Sequence, residues 1–326
     1  MKCIISENTD PYFNLASEEY LLRIFSDDCF LLYRNEPSIV VGKHQNTFSE
    51  INYRYVLENG IKVVRRISGG GTVFHDLGNL NFSFITTGEP GQLVDYKKYL
   101  EPIVAALRTI GANADISERN DLFIKGKKIT GTASHVHKNR VMHHGTLLFS
   151  SEMGDLSEAL KGSPVNYSDK AVKSIRSKVT NIRDHLVDDI DVVQFRDVIM
   201  AYILDAFEDA EVYAYTKTDI KEISKLRLTK FVSWDWNFGY SPKYQFKKEI
   251  RTSVGDLEIQ MNVEKGIIRQ LSIQGEFSNI KDVESLEQEL IGTIHDPVAI
   301  RMKLAGLDIS EYIIGIEAEE LIAGMF

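Results

Sequence analysis

The sequence predicts an α+β fold with a large N-terminal domain and a smaller α+β domain at the C-terminal end. Strand-like and helix-like segments are mixed along the chain, without the regular βαβ alternation of a doubly wound parallel sheet. After residue 242 the pattern changes to a strand–turn–strand meander followed by helical stretches. We therefore predict two domains, residues 1–243 and residues 244–326.

Caps and apolar periodicity predict the first elements. Asp10 and Pro11 mark the entry to the first helix, because an acidic cap followed by proline suits a first helical turn. Gly60 is typical of the residue that follows a helix end. Residues 81–84 alternate polar and apolar, as a half-buried strand does. The predicted strands are residues 3–6, 29–33, 38–41, 61–65 and 80–85, and the next predicted helices are residues 53–59 and 96–110.

The later elements include a hairpin and a linker. Strands at residues 121–125 and 128–137 are expected to join through the turn Gly126-Lys127. Residues 234–242 end in Ser-Pro and are predicted to link the two domains. The other predicted strands are residues 140–150, 246–263 and 267–274, and the other predicted helices are residues 192–207, 283–291 and 310–323.

Composition predicts a cytoplasmic globular protein. Of the 326 residues, 43% are hydrophobic and 26% are charged, which is the usual balance of a packed domain. We find no run of about 20 apolar residues and no signal-peptide core, so we expect neither membrane insertion nor secretion. The net charge of −9 argues against broad nucleic-acid binding. Cys3 and Cys29 have no metal-ligand spacing, and we expect buried thiols in a reducing compartment.

A glycine-rich run at residues 65–76 is the most informative segment. Its three consecutive glycines, residues 69–71, permit positive φ angles and close approach of a ligand to the backbone. Their amides could bind an anion, with Arg65 and Arg66 as charge partners. A simple connecting turn explains the glycines equally well. The run fits neither a Walker loop nor a dinucleotide fingerprint, since no lysine follows Gly71 as required and Phe74 replaces a glycine.

Lysines and histidines form two further candidate clusters. Lysines 125, 127 and 128 crowd the predicted hairpin, where most lysines are solvated. Lys128 differs because small residues follow it and leave room for a ligand. Residues 134–146 contain four of the eight histidines. A zinc site is one explanation, but the spacing is not that of a known site, and we prefer hydrogen-bonding histidines in a pocket.

Together, these motifs resemble the lipoate–protein ligase A family. The resemblance extends through the whole chain, and an ordered set of motifs carries it. They are DPYFNLA at residues 10–16, GKHQN at 42–46, RRISGGGTVFHDLGN at 65–79, RNDL at 119–122, KITGTA at 128–133, HHGTL at 143–147, SIRSKVTN at 174–181 and SWDWNFG at 233–239.

The resemblance implies a mixed-sheet catalytic domain, shared in fold with biotin ligases, and a small accessory domain. It implies that lipoate attacks ATP to give lipoyl-AMP and pyrophosphate, and that a lysine of an acceptor protein then takes the lipoyl group. Lipoyl domains of 2-oxoacid dehydrogenase E2 subunits and the glycine-cleavage H protein are the expected acceptors. Mg²⁺ is expected to accompany ATP. We expect a monomer without a tightly bound prosthetic group.

The resemblance also implies the site residues. Lys128 matches the family's active-site lysine, and Asp121 is a candidate Mg²⁺ ligand. Residues 159–184, which are locally basic, include a segment that closes over the adenylate in the family. The residues expected to contact lipoate and ATP are Arg66, Ser68, Gly69, Gly70, Gly71, Thr72, Val73, Phe74, His75, Asn120, Asp121, Lys128, Ala133 and His144.

Two other functions remain open from the sequence. An acyltransferase of the same fold would move octanoyl or lipoyl groups without ATP and would use a cysteine nucleophile. A non-catalytic lipoate-binding protein would keep the fold without the reaction. The absence of a cysteine beside Lys128 and the presence of the glycine loop favour the ligase. The choice between lipoate and octanoate cannot be predicted, since both have similar apolar tails.

Overall fold

The protein is described by a computed structural model that covers residues 1–88, 93–152, 154, 158–160, 166–175 and 177–326. Its contacts divide the chain into two compact units, each built from three segments. We call them unit 1 and unit 2. Unit 1 comprises Met1–Lys43, Ile61–Ser157 and Ser174–Ser233, and unit 2 comprises His44–Gly60, Glu158–Lys173 and Trp234–Phe326.

Unit 1 is organised around a mixed sheet that has six strands within the described residues. In spatial order, the strands are β10 (Thr132–His137), β11 (Arg140–Leu148), β6 (Asn79–Thr87), β2 (Cys29–Tyr33), β1 (Lys2–Ser6) and β13 (Glu211–Val212). β1 is parallel to its neighbours β2 and β13, whereas β6, β10 and β11 extend the sheet in antiparallel fashion.

Two small sheets in unit 1 carry the glycine run and the lysine hairpin. In the first, β3 (Ser38–Val41) lies between β4 (Lys62–Arg65) and β5 (Val73–His75), so the glycine run connects two strands that share one neighbour. The second sheet consists of β7 (Asp115–Ile116), β8 (Leu122–Ile124) and β9 (Lys127–Lys128).

Helices cover the sheet of unit 1. Asp10 caps the first helix by accepting a hydrogen bond from the Tyr12 amide, and Asp191 forms a capping box with Gln194. On the sheet, Phe30 packs against Phe84 with 4.6 Å between ring centroids. The helices are α1 (Pro11–Arg23), α4 (Tyr96–Thr109), α5 (Val192–Ala206) and α6 (Lys217–Leu226), with a 3-10 turn at Arg183–His185 and a π turn at Arg227–Phe231. The two short helices that lie between α1 and α4 in the chain, α2 (Thr47–Glu50) and α3 (Tyr53–Glu58), belong to unit 2.

Unit 2 is built on an antiparallel sheet with its own core. The strands are, in order, β12 (Asn166–Asp169), β14 (Tyr244–Thr252), β15 (Gly255–Glu264) and β16 (Ile267–Gly275). Phe48 is buried in a core that includes Tyr244 and Phe246. The helices are α2 (Thr47–Glu50), α3 (Tyr53–Glu58), α7 (Val283–Leu290), α8 (Pro297–Leu304) and α9 (Ala318–Gly324), with a π turn at Asp235–Gly239 and a 3-10 turn at Ile309–Glu311.

The α+β fold class is confirmed, and strands β2 and β3 have the predicted bounds. The predicted hairpin turn was wrong by one residue. Lys125 and Gly126 have positive φ angles of 48° and 75°, so these two residues, rather than Gly126-Lys127, make the turn. The predicted strand at residues 128–137 is interrupted after Lys128 and resumes at Thr132.

Other errors concern the C-terminal third of the chain. Residues 234–242, predicted to be a linker, contain the π turn, and Asn237 is buried there. The predicted helix at residues 310–323 is shorter, because a 3-10 turn precedes α9. Helices α6 and α8 were not predicted. No helix of the described residues is long and apolar enough to span a bilayer.

Candidate active site

The glycine run forms a loop that a buried arginine holds in place. Of the three glycines, all of them described, Gly70 has a positive φ, +90°, which favours glycine. Arg66 Nη2 donates to the carbonyls of Gly69 (2.6 Å) and Gly71 (2.7 Å), and Nη1 donates to the carbonyl of Val40 (3.1 Å). Burial lowers the pKa of Arg66 to about 10, so the guanidinium stays charged at neutral pH. The loop is therefore preorganised around a fixed cation.

A buried hydrogen-bond chain connects this loop to helix α1. Arg66 Nε donates to Ser68 Oγ (3.0 Å), and Ser68 Oγ lies 2.6 Å from His144 Nε2. His144 Nδ1 lies 2.9 Å from Glu18 Oε1, which also accepts from the Tyr33 hydroxyl (3.1 Å). Because the carboxylate only accepts, His144 Nδ1 carries a proton and donates it in a hydrogen bond to Glu18. Ser68, predicted to bind substrate, is thus bonded within the protein to both Arg66 and His144.

His75 occupies a similar buried position at the end of β5. Its Nδ1 lies 2.9 Å from Asn35 Nδ2, and its side chain is 3% exposed. Burial, followed by the charges of Arg66 and His144, lowers the pKa of His75 to about 3. The imidazole is therefore neutral at physiological pH.

Lys128 forms an ion pair with Asp121. Lys128 Nζ lies 2.8 Å from Asp121 Oδ2, and the two side chains are 22% and 18% exposed. Gly131 leaves space beside the lysine, since a Cβ there would lie 3.8 Å from Lys128 Cε. The cation is thus partly accessible, and a carboxylate at contact distance already neutralises it.

Ser174 contacts the glycine loop, and Lys178 and Thr180 contact Lys128. Ser174 Oγ accepts a hydrogen bond from the Thr72 amide (2.8 Å), and a Cβ on Gly71 would approach Ser174 Oγ to 3.1 Å. Further along, the Lys128 amide donates to the Lys178 carbonyl (2.9 Å), and the Thr180 amide donates to the Lys128 carbonyl (3.1 Å). One short segment therefore connects the two predicted parts of the site.

For the other predicted site residues, the structure shows mainly backbone pairing and burial. Ala133 pairs in register with His144, and the Asn120 carbonyl accepts from Thr132 Oγ1 (2.7 Å). Phe74 is buried beside half-buried Val73 on β5. Of the basic residues in the segment at 159–184, Lys161 and Arg176 lie outside the described residues.

Glu18 and Asn35 were missed by the sequence analysis, although both are buried and bonded to site histidines. A carboxylate in the first helix normally faces water, so its sequence context does not distinguish it.

The cysteines and the candidate metal ligands bear on the alternative functions. Cys3 and Cys29 are free and buried, and burial raises their pKa to about 11 and about 12. Such thiols are protonated at neutral pH and are poor nucleophiles, which disfavours a cysteine-based acyltransferase. Within the described residues, no three His, Cys, Asp or Glu side chains are grouped as a metal site.

Comparison with known proteins identifies the family. Residues 10–204 match the lipoyl protein ligase A/B catalytic domain, and residues 241–325 match the bacterial lipoate protein ligase C-terminus. The chain is 42% identical to lipoate–protein ligase 1 of Staphylococcus aureus over 325 residues, covering 99% of each chain. It is 39% identical to a lipoate–protein ligase of Bacillus subtilis over 317 residues, covering 96% of each.

A solved structure is similar as well. It is described as a bi-partite lipoate protein ligase from Thermoplasma acidophilum with its E2 lipoyl domain. The match has a TM-score of 0.64 and 25% identity, and covers 73% of this chain and 96% of that chain. With two family matches that together extend from residue 10 to residue 325, and relatives that cover nearly the whole chain, this protein belongs to the lipoate–protein ligase family.

Proposed function

We propose that this protein is an ATP-dependent lipoate–protein ligase in which Lys128 is the catalytic cation and the glycine loop binds the adenylate. The observation that carries the proposal is that Ser174 contacts Thr72 while Lys178 and Thr180 contact Lys128. One segment therefore links the glycine loop, whose backbone can bind an anion, to the cation of Lys128. The family assignment supports the same activity.

Two half-reactions follow. A carboxylate oxygen of lipoate attacks the α-phosphorus of ATP, and pyrophosphate leaves. The amine of an acceptor lysine then attacks the acyl carbon, loses a proton, and releases AMP. Negative charge develops on phosphoryl oxygens in the first step and on the acyl oxygen in the second. A preorganised ammonium such as that of Lys128 stabilises both.

Mg²⁺ would reach this site with ATP. The residues present fit a metal only in part, because the Asp121 carboxylate is occupied by Lys128 at 2.8 Å. Mg²⁺ commonly keeps several waters and binds substrate phosphates with one or two carboxylates. Asp121 remains the proposed ligand, and it would have to share or release Lys128 when it binds the metal. The ion would neutralise phosphate charge.

The acceptor is a protein lysine, and we propose lipoyl domains of E2 subunits and the glycine-cleavage H protein as its sources. The T. acidophilum ligase described with an E2 lipoyl domain supports the first. We propose the cytoplasm as the compartment, because free thiols are typical of reducing conditions.

ATP–pyrophosphate exchange tests the function directly. Purified protein with Mg²⁺ and lipoate is expected to incorporate labelled pyrophosphate into ATP, and then to lipoylate an apo lipoyl domain. Octanoate in place of lipoate reports acid preference. Acyl transfer from an octanoylated protein without ATP, together with no exchange, would instead establish the acyltransferase.

We further propose that residues 244–326 assist adenylate formation, since every residue predicted to contact lipoate or ATP precedes residue 185. Protein that ends at residue 244 is expected to transfer lipoyl groups from preformed lipoyl-adenylate but to form that adenylate poorly. The truncation removes Phe246 and Ile259 from the core around Phe48, so circular dichroism must first show a folded protein. Equal loss or equal retention of both half-reactions in folded protein would contradict the proposal.

A further inference from the structure

A buried hydrogen-bond donor beside the glycine loop has no partner among the described residues. His75 Nε2 is enclosed, and among the residues that the structure describes it makes no hydrogen bond. Buried polar atoms in folded proteins are nearly always paired, because an unpaired one loses its water without compensation. His75 lies three residues beyond Thr72, at the end of β5. An unpaired atom in this position indicates that an atom of a bound ligand forms the missing hydrogen bond.

The tautomer of His75 follows from a chain of amides. Asn14 Nδ2 lies within hydrogen-bond distance of the carbonyls of Asn8 (2.7 Å) and Arg34 (3.2 Å), which can only accept, so the orientation of the Asn14 amide is fixed. Asn14 Nδ2 also donates to Asn35 Oδ1 (2.9 Å), which turns Asn35 Nδ2 towards His75.

His75 Nδ1 must therefore accept from Asn35. The imidazole is neutral, as described above, so its one ring proton is on Nε2. The unpaired atom is thus an N–H donor, and the part of the chain that the structure describes offers it no acceptor.

We propose that Asn35 is a positioning residue for the reaction proposed above: it holds His75 as the Nε2–H tautomer, so that this N–H donates to an oxygen of the bound substrate. Its surroundings favour an oxygen acceptor. The positive charge of Arg66 is close enough to lower the pKa of His75, and the same charge attracts an anionic oxygen. A lipoate carboxylate and an ATP phosphate both carry oxygen atoms that can accept this hydrogen bond.

The neighbouring histidine has the opposite arrangement, which supports a selected tautomer. Glu18 accepts a hydrogen bond from His144 Nδ1, which therefore carries a proton. The carboxylate partner thus places a proton on Nδ1 of His144, whereas the amide partner leaves Nδ1 of His75 without one. Replacing the amide of residue 35 by a carboxylate should therefore move the ring proton of His75 from Nε2 to Nδ1.

Asn35→Asp tests this with little change of shape. Its carboxylate accepts a hydrogen bond from Nδ1–H, so a neutral imidazole no longer carries a proton on Nε2. ¹⁵N NMR of the imidazoles is expected to show Nε2–H for His75 in the wild type, and a proton on Nδ1 with none on Nε2 in the variant. A ring protonated on both nitrogens would keep the donor, and the comparison of His75→Gln with His75→Leu given below then decides. Calorimetry with lipoate alone and with ATP alone is expected to show at least about tenfold weaker binding of one ligand. Weaker lipoate binding identifies the carboxylate as the acceptor, and weaker ATP binding identifies a phosphate.

Controls separate positioning from folding. Asn113→Asp makes the same substitution at an exposed position of unit 1 and is expected to leave both affinities unchanged. Should Asn35→Asp not fold, His75→Gln, whose amide keeps a donor, is expected to retain binding that His75→Leu loses. An Nδ1–H tautomer in the wild type, or unchanged binding despite an inverted tautomer, overturns the proposal. Neither result depends on pyrophosphate exchange, so the ligase function is judged separately.

Discussion

Lys128→Ala is expected to reduce lipoylation of an acceptor domain by about a hundred- to a thousandfold, the loss typical when one preorganised stabilising group is removed from a reacting centre. The ammonium lies 2.8 Å from Asp121 and is the proposed counter-charge in both half-reactions. Removing it takes away a charge that is proposed to stabilise both steps. Mass spectrometry of the acceptor measures the product, and pyrophosphate exchange measures the first step.

Lys127→Ala is the matched control for this experiment. Lys127 is the other residue of strand β9, but it is exposed. It should keep near-normal activity. Lys128→Arg should also be impaired, because a wide planar guanidinium does not replace a point charge in a confined site. Near-normal turnover in folded Lys128→Ala would reject the assignment of the catalytic cation.

Arg66→Met is expected to lower the free energy of unfolding by about 3–5 kcal/mol, the usual effect of removing one member of a buried charged assembly. The substitution keeps most of the side-chain volume but leaves the carbonyls of Gly69, Gly71 and Val40 without their donor. It also removes the positive charge that faces buried Glu18. Urea unfolding measures the change, and lipoate binding should weaken as the loop loses its support.

Arg54→Met serves as the control, because Arg54 forms an exposed pair with Glu58 four residues later in the chain. Such pairs contribute about 0–1 kcal/mol, so its unfolding free energy should hardly change. If Arg66→Met unfolds at the same urea concentration as Arg54→Met, the guanidinium does not support the loop in the way proposed.

The accuracy of prediction from sequence varied with how local the signal was. Strands β2 and β3 are short apolar runs bounded by charged or turn residues, so their own residues define them. The glycine loop and Lys128 were predictable because each lies in a compact motif. Residues 44–60 were not assigned to unit 2, since the partners of Phe48 follow about 200 residues later.

The hydrogen-bond chains of the site could not be predicted from the sequence, because their members are far apart in the chain. Glu18 reaches His144 over 126 residues, and Asn35 reaches His75 over 40. A polar residue has the same appearance in the sequence whether water or another side chain satisfies it. Only the folded chain shows that Ser68 bonds to Arg66 and His144, and contact of these residues with the substrate stays a prediction.

The two enclosed cysteines have a practical consequence for assay design. The reduced lipoyl group carries two thiols, and thiol-directed labels such as maleimides react with thiolates. Cys3 and Cys29 are at most 1% exposed and remain protonated at neutral pH, so the enzyme should give almost no background signal. Once free lipoate and reductant have been removed, fluorescent labelling after mild reduction can therefore count the dithiols attached to a cysteine-free acceptor, without separating the acceptor from the ligase.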